Sequence, residues 1–156
     1  MNKIIAFVLF LNLFLFSCQD NLVQSSKHVV DRGLWYINQP AIFDWRVEDT
    51  LASYNMVLQL SHDVDLPFEN IYVKCVTQYP DSSLKEQVVS FDLLDHYGKP
   101  NGEISGNTCL AEIPLIMNFK YPQMGSYQIQ IIPYSRINPI SGIHSLELVI
   151  NKIKTP

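Results

Sequence analysis

The chain has 156 residues, with 11 Lys and Arg against 15 Asp and Glu, a formal charge of −4 at neutral pH. That balance argues against a nucleic-acid binder, whose affinity comes largely from Lys and Arg on phosphates, and it offers no electrostatic grip on anionic lipid. Nine Pro, eight Tyr and eight Phe, with no long helix-forming run, point to an all-β domain.

From the N-terminus, Lys3 precedes an apolar run from Ile4 to Phe16, interrupted by Asn12 alone. Such a run is shorter than the roughly 20 residues of a bilayer span but fits the apolar region of a secretory signal. It closes on Leu15-Phe16-Ser17-Cys18, which resembles a bacterial lipobox, although Phe16 is bulkier than the usual residue there. Residues 1–17 are therefore expected to be a removed signal, and Cys18 to become a lipidated first residue. One acyl chain gives only marginal membrane binding, at about 0.8 kcal/mol per buried CH₂, so two or three make attachment effectively permanent. Without residues 1–17, whose one charge is Lys3, the balance moves to −5. Residues 18–27 read as the lipidated cysteine and a polar tether, and residues 28–156 as a single β-sandwich domain.

Within that domain, Leu34 to Ile37 forms a candidate edge strand ended by Pro40. Ala41 to Glu48 then alternates cleanly, with Ala41, Phe43, Trp45 and Val47 on one side. Ser53 to Ser61 repeats the pattern through Tyr54, Met56, Leu58 and Leu60, and Ile71 to Tyr79 through Ile71, Val73 and Cys75. Period two with one apolar face marks a half-buried strand. Ser61 to Asn70 reads as a polar loop and Pro80 to Ser83 as a turn. Val89, Phe91 and Leu93 share a face of the next strand, and Asn101-Gly102 is a strong hairpin signal. Pro114 interrupts Cys109 to Phe119, which makes it an edge strand or two short pieces. Gly125 to Ile132 alternates through Tyr127, Ile129 and Ile131. Pro133 to Ser145 reads as a loop with a helical turn, and Leu146 to Ile153 as the closing strand. Seven to eight strands at this spacing predict an antiparallel β-sandwich, Ig-like or jelly-roll-like.

The residues offer no catalytic or metal centre. His28, His62, His96 and His144 stand in separate segments without ligand spacing and read as solvated loop residues. His62-Asp63-Val64-Asp65 lacks the calcium-loop pattern, and no nucleophile elbow or phosphate-cradling glycine loop occurs. Cys75 and Cys109 are either two small buried thiols or one bridge. No cofactor and no small-molecule substrate is expected. Asp49, Asp63, Asp65 and Arg136, charged residues in or beside loops, are the candidate contacts to a protein partner. Loops on rigid scaffolds are where such residues concentrate.

Several stretches in order resemble the gliding-motility lipoprotein family GldH of Bacteroidetes. They are the lipobox at Cys18, Trp35, Phe43-Asp44-Trp45-Arg46-Val47-Glu48-Asp49-Thr50, Tyr54-Asn55 and Leu66-Pro67-Phe68-Glu69-Asn70-Ile71. Pro80, Asp92 to Gly98, Gly125-x-Tyr127, Arg136 and Ile140-x-Gly142-Ile143 follow. The chain departs from the family pattern at Ser61-His62, at Val88-Val89-Ser90 and across residues 103–118. The resemblance implies a non-enzymatic lipoprotein that binds other proteins of the gliding, secretion or envelope-assembly machinery. Gln19 after Cys18 favours the outer membrane, facing the periplasm. The competing expectation is a periplasmic carbohydrate-binding or hydrolytic sandwich, for which Tyr72, Tyr97 and Tyr134 are the candidate platforms.

Overall fold

The computed structural model describes residues 21–153, so Cys18 lies outside the described residues. Eight long strands build the domain: β1 (Leu22–Val29), β3 (Ala41–Val47), β4 (Ser53–Asp63), β5 (Asn70–Gln78), β6 (Leu84–Asp92), β8 (Thr108–Phe119), β9 (Gly125–Pro133) and β11 (Ile143–Ile153). Three short ones complete it: β2 (Leu34–Trp35), β7 (Glu103–Ser105) and β10 (Ile140–Ser141). Every pairing is antiparallel. One sheet runs β1-β11-β4-β8-β7, the other β3-β9-β5-β6, and β2 with β10 forms a small third one. The all-β sandwich is thus as expected. Its count among the described residues reaches eleven because β7 and β10 are too short to display an alternation and β1 carries no apolar stripe.

The alternating segments deliver the core. Met56, Leu58 and Leu60 of β4 lie beside Leu146, Leu148 and Ile150 of β11 in register, all buried. Opposite them the second sheet contributes Phe43 and Trp45, Ile71, Val73 and Cys75, and Ile129 and Ile131, in one continuous cluster. A one-residue slip in any of these strands would turn the whole apolar set outward, which fixes the register.

Several local readings change. The stretch expected to be a tether becomes strand β1 from Leu22 onward. It is an edge strand whose pairing to β11 is carried by main-chain bonds, so polar Gln24, Ser25 and Ser26 suffice and no apolar stripe announces it. Residues 133–145 contain β10 and no helical turn. Pro114 sits inside continuous β8, next to a register shift against β4, where a missing N–H is tolerated. His62 is not solvated. It is the next inward step of β4, fully buried, with Nδ1 2.7 Å from the Asp63 carbonyl. Among the described residues Cys75 and Cys109 are both buried and not bonded to each other, and burial pushes the Cys75 thiol up to about 11, leaving it un-ionised and inert at neutral pH.

Candidate functional site

The four charged residues singled out by sequence do not converge. Asp49 precedes β4 and Asp63 ends it, so the two stand at opposite ends of a strand roughly 33 Å long at about 3.3 Å per residue. Asp49 organises the turn into β4: Oδ1 accepts from the N–H groups of Leu51 (2.9 Å) and Ala52 (3.3 Å). Its Oδ2 accepts from Lys152 Nζ at 2.7 Å, and its carbonyl from the Tyr54 hydroxyl. Asp63 faces His144, with Oδ1 2.8 Å from Nε2, and its N–H donates to the Gly142 carbonyl. Asp65 is exposed, and Arg136 stands on the loop between β9 and β10.

The Asp49 pair makes a checkable prediction. The Lys152 ammonium and the Leu51 N–H hold the Asp49 carboxyl below its usual range, and the Asp49 carboxylate raises Lys152. The Asp49 contribution is then present in full above the ordinary carboxylate pKa and is lost as pH falls through the lowered value. That of Lys152 is present below the ordinary lysine pKa and is lost as pH rises through the raised one. The difference in denaturation midpoint between the native chain and Asp49→Asn should be flat from about pH 5 to pH 9 and shrink beyond both limits. A difference independent of pH down to about pH 2 would show that the pair does not couple to folding.

A different surface has the shape of a site. An open groove of about 970 Å³ lies on the outer face of the β9-β5-β6 region, within the usual size range of ligand clefts. Register explains its floor. Lys74 is opposite both Val88 of β6 and Ile132 of β9, so these three side chains form one cross-strand row. In the next row Tyr72 lies opposite Ser90, and the Tyr134 N–H bonds the Tyr72 carbonyl at 2.8 Å, which sets the two tyrosines side by side. Asn70 is held toward Ser90 by a 3.0 Å bond.

The walls come from loops. β2 pairs with β10, Trp35 opposite Ile140, and the Trp35 indole N–H donates to the Gln39 carbonyl. The Ile37 N–H donates to Asn138 Oδ1, so Ile37 closes one side. Phe68, from the loop between β4 and β5, and Ile140 complete the apolar end, and Ser135 and Arg136 overhang it. Tyr72 is 50% exposed, Tyr134 59% and Val88 52%. Among the described residues no Asp or Glu lines this groove, so they place no carboxylate pair there for glycoside hydrolysis.

Of the sequence candidates, the groove takes up Arg136, Tyr72 and Tyr134. Tyr97 sits on the turn from Asp95 to Lys99, beside His96, and does not line it. The loop from Ser61 to Asn70 contributes Phe68 and Asn70, not its aspartates. Sequence reasoning missed Ile37, Lys74, Val88 and Ile132. A signal for two of them existed: Val88-Val89 and Ile131-Ile132 are apolar doublets in alternating strands, and one member of each must face outward.

Comparison with known proteins now settles the family. A model of the GldH lipoprotein family matches residues 22–150. The chain belongs to the GldH lipoprotein family. Among curated proteins, the gliding motility lipoprotein GldH of Flavobacterium johnsoniae is 25% identical over 138 residues, covering 86% of this chain and 84% of that protein. The match begins at the first residue of β1 and ends within β11. Two solved structures also align. One is a Xyl-CBM35 in complex with a glucuronic acid containing disaccharide (13% identity, TM-score 0.35, covering 90% of this chain and 96% of that one). The other is the Tobacco streak virus coat protein (11% identity, TM-score 0.29, covering 90% and 95%). At these scores neither bears on function.

Proposed function

We propose that this chain is a lipid-anchored component of the gliding or associated secretion machinery, held to the envelope through Cys18 and acting by binding other envelope proteins rather than by catalysis. The observation that carries this reading is the family match across the whole folded domain. The lipobox supplies the anchor. Gln19 after Cys18 supports the outer membrane, with the domain facing the periplasm. The groove above Lys74 and Tyr72 supplies the contact surface, an exposed apolar patch of the kind that marks interaction sites.

The test is complementation of a deletion strain. The native gene should restore spreading on agar, and mass spectrometry should find an acylated Cys18 at the mature N-terminus. Cys18→Ser should leave an uncleaved precursor and restore no spreading. A mature N-terminus downstream of residue 18 would overturn the anchor. Full spreading by a deletion strain would overturn the role in gliding.

A further inference from the structure

We infer that the groove on the outer face of β9, β5 and β6 receives an acidic peptide segment carrying a bulky apolar side chain, its carboxylates answering to Lys74 and Arg136. This rests on the protein-binding reading above and names the chemistry of the partner. The first argument is charge. The chain as a whole is acidic at −4, yet among the described residues the groove is lined by two cations and no carboxylate. Such a local reversal of sign recognises anions and repels nothing that carries them. Arg136 makes no salt bridge among the described residues, and the nearest acid to Lys74 is Glu86, 4.0 Å away and itself outside the lining. An exposed pair of this kind contributes little, so a ligand carboxylate displaces it at small cost. Asp92, bonded through Ser90 toward Asn70, also stays outside the groove.

The second argument is the apolar surface. Beside the cations the lining holds Val88, Ile132, Ile37, Phe68 and Ile140. Four of these five are aliphatic and pack against apolar side chains, whereas a saccharide needs exposed flat ring faces; of the three rings in the lining, Phe68 is partly buried against the core and only Tyr72 and Tyr134 are exposed. The groove therefore suits a ligand that is both anionic and apolar, as an acidic peptide with an aromatic or branched anchor is. Anchors in pockets carry most of the energy in such contacts, with charges fixing specificity.

The experiment pans the full lipidated chain, in detergent micelles, against a displayed library of random peptides. Selected sequences should be enriched in Asp or Glu close to Phe, Leu, Ile or Trp. A fluorescein-labelled synthetic copy of the best of them should bind at least tenfold more weakly to Lys74→Glu with Arg136→Glu, and to Val88→Asp. Binding to the native chain should also weaken as salt rises. Unchanged melting temperatures would show that the variants fold. Selected peptides without acidic residues, or equal binding to the charge-reversed chain, would overturn the inference. So would groove-dependent binding of a glucuronate oligosaccharide or of phosphatidylglycerol vesicles in place of the peptide. If the charge-reversed chain still recovers its envelope partners at native yield, the groove assignment fails while the protein-binding role stands. If neither chain recovers any partner, that role fails too.

Discussion

Trp45→Ala should lower the stability of the domain by about 3–5 kcal/mol, the usual cost of emptying a large aromatic site in a core. Trp45 is 3% exposed and lies on β3 opposite Tyr127 of β9. Their rings stack with centroids 5.5 Å apart and planes 17° from parallel. Tyr121 leans on both at 6.1 and 4.9 Å, and Tyr54 meets Tyr121 edge-on at 5.4 Å. Because Tyr54 belongs to the other sheet, this aromatic group couples sheet to sheet, and deleting its indole leaves a void that neighbours from two sheets cannot fill together. Among the described residues the indole N–H has no well-formed hydrogen bond; it faces the Tyr121 hydroxyl, which is also without one, so the loss is chiefly one of packing. Trp45→Phe should then cost less than about 1.5 kcal/mol, since much of the ring contact is kept and an unpaired buried donor disappears. Denaturant unfolding of both variants measures the difference. A loss below about 1 kcal/mol in Trp45→Ala would mean that the aromatic group does not carry the inter-sheet contact.

What was legible in the sequence follows from where each residue points. Phe43, Trp45, Leu58, Val73 and Ile131 were readable because burial on one face imposes period two, and two neighbouring strands of the same kind confirm each other. Even His62 obeys that rule, as the step after Leu60, and only its polarity hid it. The groove was not legible for the opposite reason. Its floor is made of outward-facing residues from three strands, and its walls span Ile37 to Ile140, brought together by strand pairing. Outward positions carry no periodic constraint, so Lys74 looks like any solvent-facing lysine until Val88 and Ile132 are found beside it. The aspartates singled out as contacts are the complementary case. Asp49 and Asp63 look free as sequence, yet both are occupied by bonds to residues far along the chain, Lys152 and His144.

Gly102→Ala should destabilise the domain by about 1–3 kcal/mol, the range for forcing extra volume into a filled space. Asn101-Gly102 looks like a hairpin turn, in which glycine would be needed for a positive φ. The turn is elsewhere: Gly98, at φ +78, helps close the reversal from Asp95 to Lys99, and Gly106, at φ +60, makes the tight link between β7 and β8. Gly102 has no positive φ, but an added Cβ would stand 2.2 Å from the Leu110 carbonyl oxygen and 2.9 Å from the Ala111 Cα. Those are backbone atoms of β8, which cannot rotate aside as a side chain would. Relief requires β7 to lift from β8, giving up the Glu103–Leu110 and Ile104–Cys109 pairings. Faster amide exchange at Ile104 and Ser105 is the expected signature, ahead of any change in β4 or β11. A pair of asparagine substitutions separates the two roles of glycine. Asparagine tolerates a left-handed backbone and nothing lies within 4 Å of a Cβ at Gly106, so Gly106→Asn should be close to neutral. Gly102→Asn should be at least as damaging as Gly102→Ala, because it brings the same Cβ into the same backbone. If Gly102→Asn proves neutral, the close approach of the two strands is not what the glycine is there to allow.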